Sequence, residues 1–142
     1  NTGATRTLSE FWSTGPALVM FWRHFGCSCG VQRAQRLRSE WSAYVESGLT
    51  PVIVGQGDPA RAASYREQYD VPAPIQAGRR EAGRAPVDDP WRATAEFVVD
   101  TRGKVRLGYL YQYCENFPDP RVLTAAARLG EQPWLRGAPA RQ

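Results

Sequence analysis

The hydrophobic positions of this chain fall either in unbroken runs or at three- and four-residue steps, and the changes between the two mark its elements. Ala17 to Trp22 is an unbroken apolar run of strand length, bounded by Gly15-Pro16 and Arg23-His24. Such a run suits a central strand covered on both faces. Upstream, Thr7 to Trp12 reads as a short amphipathic segment. Val31, Ala34, Leu37, Trp41, Tyr44 and Val45 recur at helical steps with Gln, Arg and Glu between them, which predicts an amphipathic helix ended by Gly48. Pro51 to Gly55 predicts a second buried strand. Asp58-Pro59 has the form of an N-cap followed by proline in the first turn, so a helix is expected from Ala60 to Tyr69, closed by Asp70 to Pro74. Ala77 to Trp91, rich in Gly, Pro and charge, reads as a loop. Ala95, Phe97 and Val99 alternate as a strand, Asp100 to Gly103 supplies a turn, and Lys104 to Tyr113 forms the partner strand. Asn116 to Pro120 leads into a last helix, Arg121 to Leu129, and the tail from about residue 130 reads as loose.

This order predicts an α/β fold. Two strands joined through a helix should be parallel with a right-handed crossover. The later hairpin adds antiparallel strands, giving a central mixed sheet with helices on both faces. The arrangement resembles a thioredoxin-like fold, expected as one domain over residues 1–142 with no internal repeat or linker.

Composition narrows the class. Five Trp, six Tyr and five Phe in 142 residues carry far more apolar surface than a disordered segment does. Three cysteines are too few, and odd in number, for a disulfide scaffold. No apolar run approaches the ~18–20 residues of a membrane span. The formal charge of +4 is ordinary for solubility. All basic residues but Lys104 are Arg, and the densest groups, Arg33/Arg36/Arg38 and Arg79/Arg80/Arg84, are interleaved with acids rather than with aromatics. Nucleic acid is therefore not expected as a partner, and neither is a membrane. Asn1 to Thr5 shows neither the basic start nor the apolar stretch of a signal peptide, so the expected compartment is the cytoplasm.

Chemistry gathers at Cys27-Ser28-Cys29, which follows the first strand and opens its helix. There the unpaired backbone N–H groups and the positive end of the helix dipole point at the first-turn side chains. A cysteine in that place can have its pKa lowered from the free value of ~8.5, and a second thiol nearby can trap the oxidised first one. The structural alternative is a pair of small core residues. A ring closed across one residue leaves little room for ordinary disulfide geometry, which predicts a strained, easily reduced Cys27–Cys29 bond.

The segment Leu18 to Cys27, ending in Arg23-His24-Phe25-Gly26-Cys27, resembles the peroxiredoxin-like branch of the alkyl hydroperoxide reductase/thiol-specific antioxidant superfamily. Val52 to Gly55 before an Asp-Pro helix start, Phe97 to Asp100 before Gly103-Lys104-Val105, and Asn116 to Pro120 agree with it. The resemblance spans roughly Thr7 to Leu129. It implies thiol-dependent reduction of a small peroxide or disulfide, with Cys27 as the reactive cysteine. The Cys27 thiolate would become a sulfenic acid, Cys29 or Cys114 would condense with it, and an external thioredoxin-like or small-thiol reductant would reset the pair. No cofactor beyond the thiols is implied, and a homodimer is compatible. The chain departs from the branch in spacing its cysteines as Cys-x-Cys rather than Cys-x-x-Cys. His24 stands where peroxiredoxins carry Thr, and Thr94 stands where redoxins commonly carry a cis-proline or an Arg, with Arg92 two residues earlier.

Arg23 and His24 are the neighbouring candidates, able to stabilise the thiolate or carry a proton, and Arg92 is a second candidate cation. Side chains alternate along a strand, so Arg23 and His24 cannot both face the site while the chain stays extended. Each could instead be a solvated strand-end residue, and Cys114 an inert buried thiol. Trp12, Trp22, Trp41 and Phe97 read as core. Within the redox class the rival is disulfide exchange without peroxide reduction. From other classes come a zinc site of His24, Cys27, Cys29 and Cys114, and a redoxin-fold binding module without turnover.

Overall fold

The computed structural model describes residues 5–25, 27–77, 94–113 and 115–129. A 3-10 turn, Leu8–Trp12, precedes β1 (Ala17–Trp22), α1 (Ser28–Glu46), β2 (Thr50–Gly55), α2 (Pro59–Gln68), β3 (Ile75–Ala77), β4 (Ala95–Val99), β5 (Val105–Leu110) and α3 (Pro120–Leu129). The local signals act as their chemistry dictates. Asp58 caps α2 by accepting the Arg61 N–H at 2.8 Å, with Pro59 in the first turn. Gly48 follows α1 with φ +74°, a conformation that glycine takes without steric cost.

The strand order is β3-β2-β1-β4-β5. β1 lies at the centre, parallel to β2 and antiparallel to β4, while β2 pairs with β3 in parallel and β4 with β5 in antiparallel. The mixed sheet, its parallel half and its hairpin thus match the sequence expectation. β3 was not foreseen: three residues after Pro74 are too few to display a period, and only pairing with Ile53, Val54 and Gly55 makes them a strand. β5 stops at Leu110, three residues before the expected end.

Register decides which side chains share a face. Met20 stands beside Ile53 and Glu96, and Leu18 beside Val98. With Trp22 and Ile75 these face the main core, where Ala34, Leu37 and Tyr44 of α1, Ala62 and Tyr65 of α2, and Leu123, Ala126 and Ala127 of α3 join them. All three α-helices therefore press on one face. On the other, Ala17, Val19, Val52 and Val99 are covered by Phe11 and Trp12, so the helical cover there is the 3-10 turn. Both faces of β1 are buried, which is why its sequence is unbroken rather than alternating.

Candidate active site

β1 ends at Trp22, and α1 begins at Ser28 with Cys27 as its N-cap in extended conformation (φ −84°, ψ 132°). The Cys27 N–H donates to the His24 carbonyl at 3.4 Å, and the Cys27 carbonyl accepts from Gly30 and Val31 at 3.1 and 3.4 Å. The cysteine thus sits on the N-terminal axis of a 19-residue helix, where orphan N–H groups and the dipole favour negative charge. Cys27 is half-buried, whereas Cys29 in the first turn is 7% exposed, so solvent-borne reactants meet Cys27 first. The two form a disulfide with a Cα separation of 5.4 Å, inside the range disulfides usually take. One intervening residue is therefore enough to bring the backbones to bonding distance.

Beside the pair lies a recess of about 10 Å³, the size of one water. Cys27, Cys29 and Gly30 line it together with Trp22, Arg23 and His24 from the end of β1 and beyond, and with Arg33, Thr94 and Tyr111. The structure brings Arg23 and His24 to the same recess because the chain leaves extended geometry after Trp22. Arg23 is half-buried and His24 exposed. Thr94 and Tyr111 meet because the Tyr111 N–H bonds the Thr94 carbonyl at 2.9 Å, extending the β4–β5 pairing by one step. Trp22 is core, as expected, and also a recess wall. Arg92 and Cys114 lie outside the described residues.

Behind the recess is a buried charge network. Arg33, 1% exposed, holds Glu96 through both carboxylate oxygens (Nε–Oε1 2.7 Å, Nη2–Oε2 3.1 Å) and Glu40 through Nη1 at 2.8 Å. Tyr44 donates to Glu40 at 2.7 Å and accepts from Arg33 Nη2 at 3.3 Å. The Tyr111 hydroxyl donates to Glu96 Oε1. Arg36 reaches Glu40 from the half-exposed side at 3.2 Å, and the Phe117 ring lies under both guanidinium groups. Burial, the largest single influence, works against the charge on Arg33, but the Glu96 charge and hydrogen bond together with Tyr44 and Tyr111 more than offset it and hold the guanidinium charged. Burial, then the Glu96 charge, pushes the Tyr111 phenol above its usual range.

Sequence reasoning missed this network. Arg33 stood in a group of arginines resembling a solvated face, and Glu96 stood at what an alternating strand makes the outward position. The available signal was helical spacing: Arg33 follows Cys29 by four residues, one turn along the same face. Glu96 left no local signal, since its burial depends on α1 covering that face of β4. Among the described residues, no group of three or more His, Cys, Asp or Glu could hold a metal ion. Nor is any helix among them long and apolar enough to cross a membrane.

No protein-family model matches the chain. Peroxidoxin BcpB from Mycobacterium tuberculosis superposes with a TM-score of 0.72 over 90% of this chain and 88% of its own, at 20% identity. Its fold is thioredoxin-like. Other solved neighbours of this thioredoxin-like chain are peroxiredoxins of Xanthomonas campestris and, separately, a secreted Mycobacterium tuberculosis disulfide oxidoreductase homologous to DsbE of E. coli. That structure has a TM-score of 0.57 and 16% identity, with 85% of each chain covered. Among curated proteins, a chloroplastic thioredoxin-like protein, AAED1, of Arabidopsis thaliana is 24% identical over 110 residues, 78% of this chain. The match spans 44% of that relative's length.

Proposed function

We propose that the chain is a thiol oxidoreductase that reduces a small peroxide, with Cys27 as the attacking thiolate and Cys29 as the thiol that resolves it. The observation that carries this reading is the placement of Cys27 as N-cap of α1, half-buried beside a one-water recess, with the enclosed Cys29 bonded to it. A thiolate at that helix end attacks the peroxide O–O bond, releasing alcohol or water and leaving a sulfenic acid. Cys29 condenses with the sulfenic acid, water leaves, and a thioredoxin-like or small-thiol reductant supplies two electrons to reopen the disulfide. Arg23 and His24 at the rim receive the substrate and bias its protons. No bound cofactor enters this reading.

Thiol–disulfide exchange is the second reading, favoured by the same disulfide and by the fold shared with a DsbE-like oxidoreductase. The deciding experiment is peroxide consumption coupled to a thioredoxin system, comparing the parent with Cys27→Ser, Cys29→Ser and Cys114→Ser. Turnover lost in Cys27→Ser and kept in Cys114→Ser is the expected result. A parent that alkylates fast with iodoacetamide at pH 6 yet consumes no peroxide is an exchange protein. Slow alkylation of Cys27 at that pH, or stoichiometric zinc in the purified protein, overturns the catalytic reading altogether.

A further inference from the structure

We infer that Tyr111 and the buried Glu96 form a proton relay serving Cys29, the thiol that must ionise inside the fold for the disulfide to form. The inference rests on the redox reading of Cys27 and Cys29.

Cys29 is 7% exposed, so bulk water has little access to its proton. The recess it lines has room for about one water, and a polar group lining the same recess is placed to exchange a proton with the sulfur through that water. Tyr111 is such a group, and its hydroxyl leads away from the recess to Glu96 Oε1. Glu96 is 0% exposed on a strand whose other position facing the main core is Val98. Arg33 holds the carboxylate through both oxygens, and being permanently charged it cannot take a proton itself. Glu40, Tyr44 and Arg36 meet on the Glu40 side of the network, away from the recess lining. Arg23 and His24 line the same recess. Besides Arg33, which keeps its charge, Tyr111 joins the recess to the buried Glu96 carboxylate by a hydrogen bond. The phenol keeps its proton because burial and the Glu96 charge disfavour phenolate. It therefore passes protons as a hydroxyl, accepting one as it gives another.

The step balances. With Cys27 as a sulfenic acid, the Cys29 S–H proton passes to Tyr111 Oη as the Tyr111 proton passes to Glu96. The Cys29 sulfur attacks Cys27 Sγ, the Cys27 S–O bond breaks, and hydroxide leaves. Hydroxide takes the proton back through Tyr111 and departs as water. Arg33 is a positioning residue that keeps the Glu96 oxygens aimed at Tyr111.

The test needs no peroxide. In a Cys114→Ser background, the reduced protein is mixed with 5,5′-dithiobis(2-nitrobenzoate), and release of the coloured thiolate is followed by stopped flow. The first phase reports attack by Cys27, the second the attack of Cys29 on the mixed disulfide. The relay predicts that Tyr111→Phe slows the second phase about a hundredfold, the lower end of what positioned acid–base groups supply, and leaves the first unchanged. The slowed phase should also become steeper with pH than the parent's, rising with hydroxide, and Glu96→Gln should reproduce that profile. A Tyr111→Phe protein whose second phase matches the parent's in rate and pH profile overturns the relay, as does equal slowing of both phases. A parent showing no first phase overturns the redox reading itself, and the relay with it.

Discussion

At the scale of single residues, the network around Arg33 shows how a charged group comes to occupy a core. Arg33 and Glu96 are both below 2% exposed, where an uncompensated charge is costly, and their two-point contact is the compensation. Such a pair contributes little net stability against an apolar replacement, yet removing one partner strands the other. Glu96→Ala is therefore expected to lower unfolding stability by about 3–5 kcal/mol, read from urea denaturation. The double variant Arg33→Met/Glu96→Leu should recover much of that loss. If Glu96→Ala changes stability by less than the surface variant Arg61→Ala does, the buried charges are not mutually dependent. The cysteine pair could be read from the chain because its meaning lies in local position, between an apolar run and a helix. Arg33 and Glu96 are 63 positions apart and meet only through the packing of α1 on β4, so no window of sequence contains their pairing.

Between elements, the junction of β1 with α1 is held by an aromatic wedge. Phe25, in the segment leading to Cys27, lies against the end of β2, where a Cβ at Gly55 would overlap its ring and one at Gly57 would come within 2.9 Å of it. Its other side meets the Tyr65 ring of α2 at 5.5 Å between centroids, so the ring cannot simply swing away. Gly55→Ala should accordingly cost about 1–3 kcal/mol as an overpacking change. It should also alter the iodoacetamide reactivity of Cys27, because Phe25 lies two residues before it. Unaltered Cys27 reactivity in a destabilised Gly55→Ala protein would show that the wedge supports the fold without positioning the thiol. The glycines were visible in the chain, but their purpose was not: close approach of a ring from another element leaves no periodicity. Asp58-Pro59, by contrast, was readable because cap and helix are adjacent in sequence. The direction of β1, its parallel partner and the hairpin were readable for the same reason, since each depends on one connection.

Across the whole molecule, the ionisable groups divide into two sets that bound stability from opposite sides of the pH scale. Arg121 holds the Asp119 carboxyl down at about 2. Asp100 is lowered despite its burial, by the Lys104 N–H, the Arg106 guanidinium and the Arg102 N–H. A carboxyl with a depressed folded pKa stabilises above its unfolded value of about 4, and that contribution is lost as pH falls through the folded value. Stability should therefore decline from about pH 4 toward pH 2, more gently in Asp100→Asn. On the alkaline side, Tyr44, Tyr65 and Tyr111 are all raised, chiefly by burial. For a raised group the contribution is complete below the unfolded pKa, about 10 for tyrosine, and is lost as pH climbs toward the folded value. Above pH 10 the unfolded chain sheds three protons that the fold retains, so ΔG of unfolding should fall by about 4 kcal/mol per pH unit from these residues alone. Urea midpoints between pH 7 and 11, with tyrosinate absorbance at 295 nm, give both quantities. Folded protein showing three fewer titrating tyrosines than the urea-unfolded chain, with midpoints dropping from pH 10, is the expected result. Equal tyrosine titration in the two states would mean that these phenols are open to solvent, and would remove Tyr111 as a hydroxyl that keeps its proton.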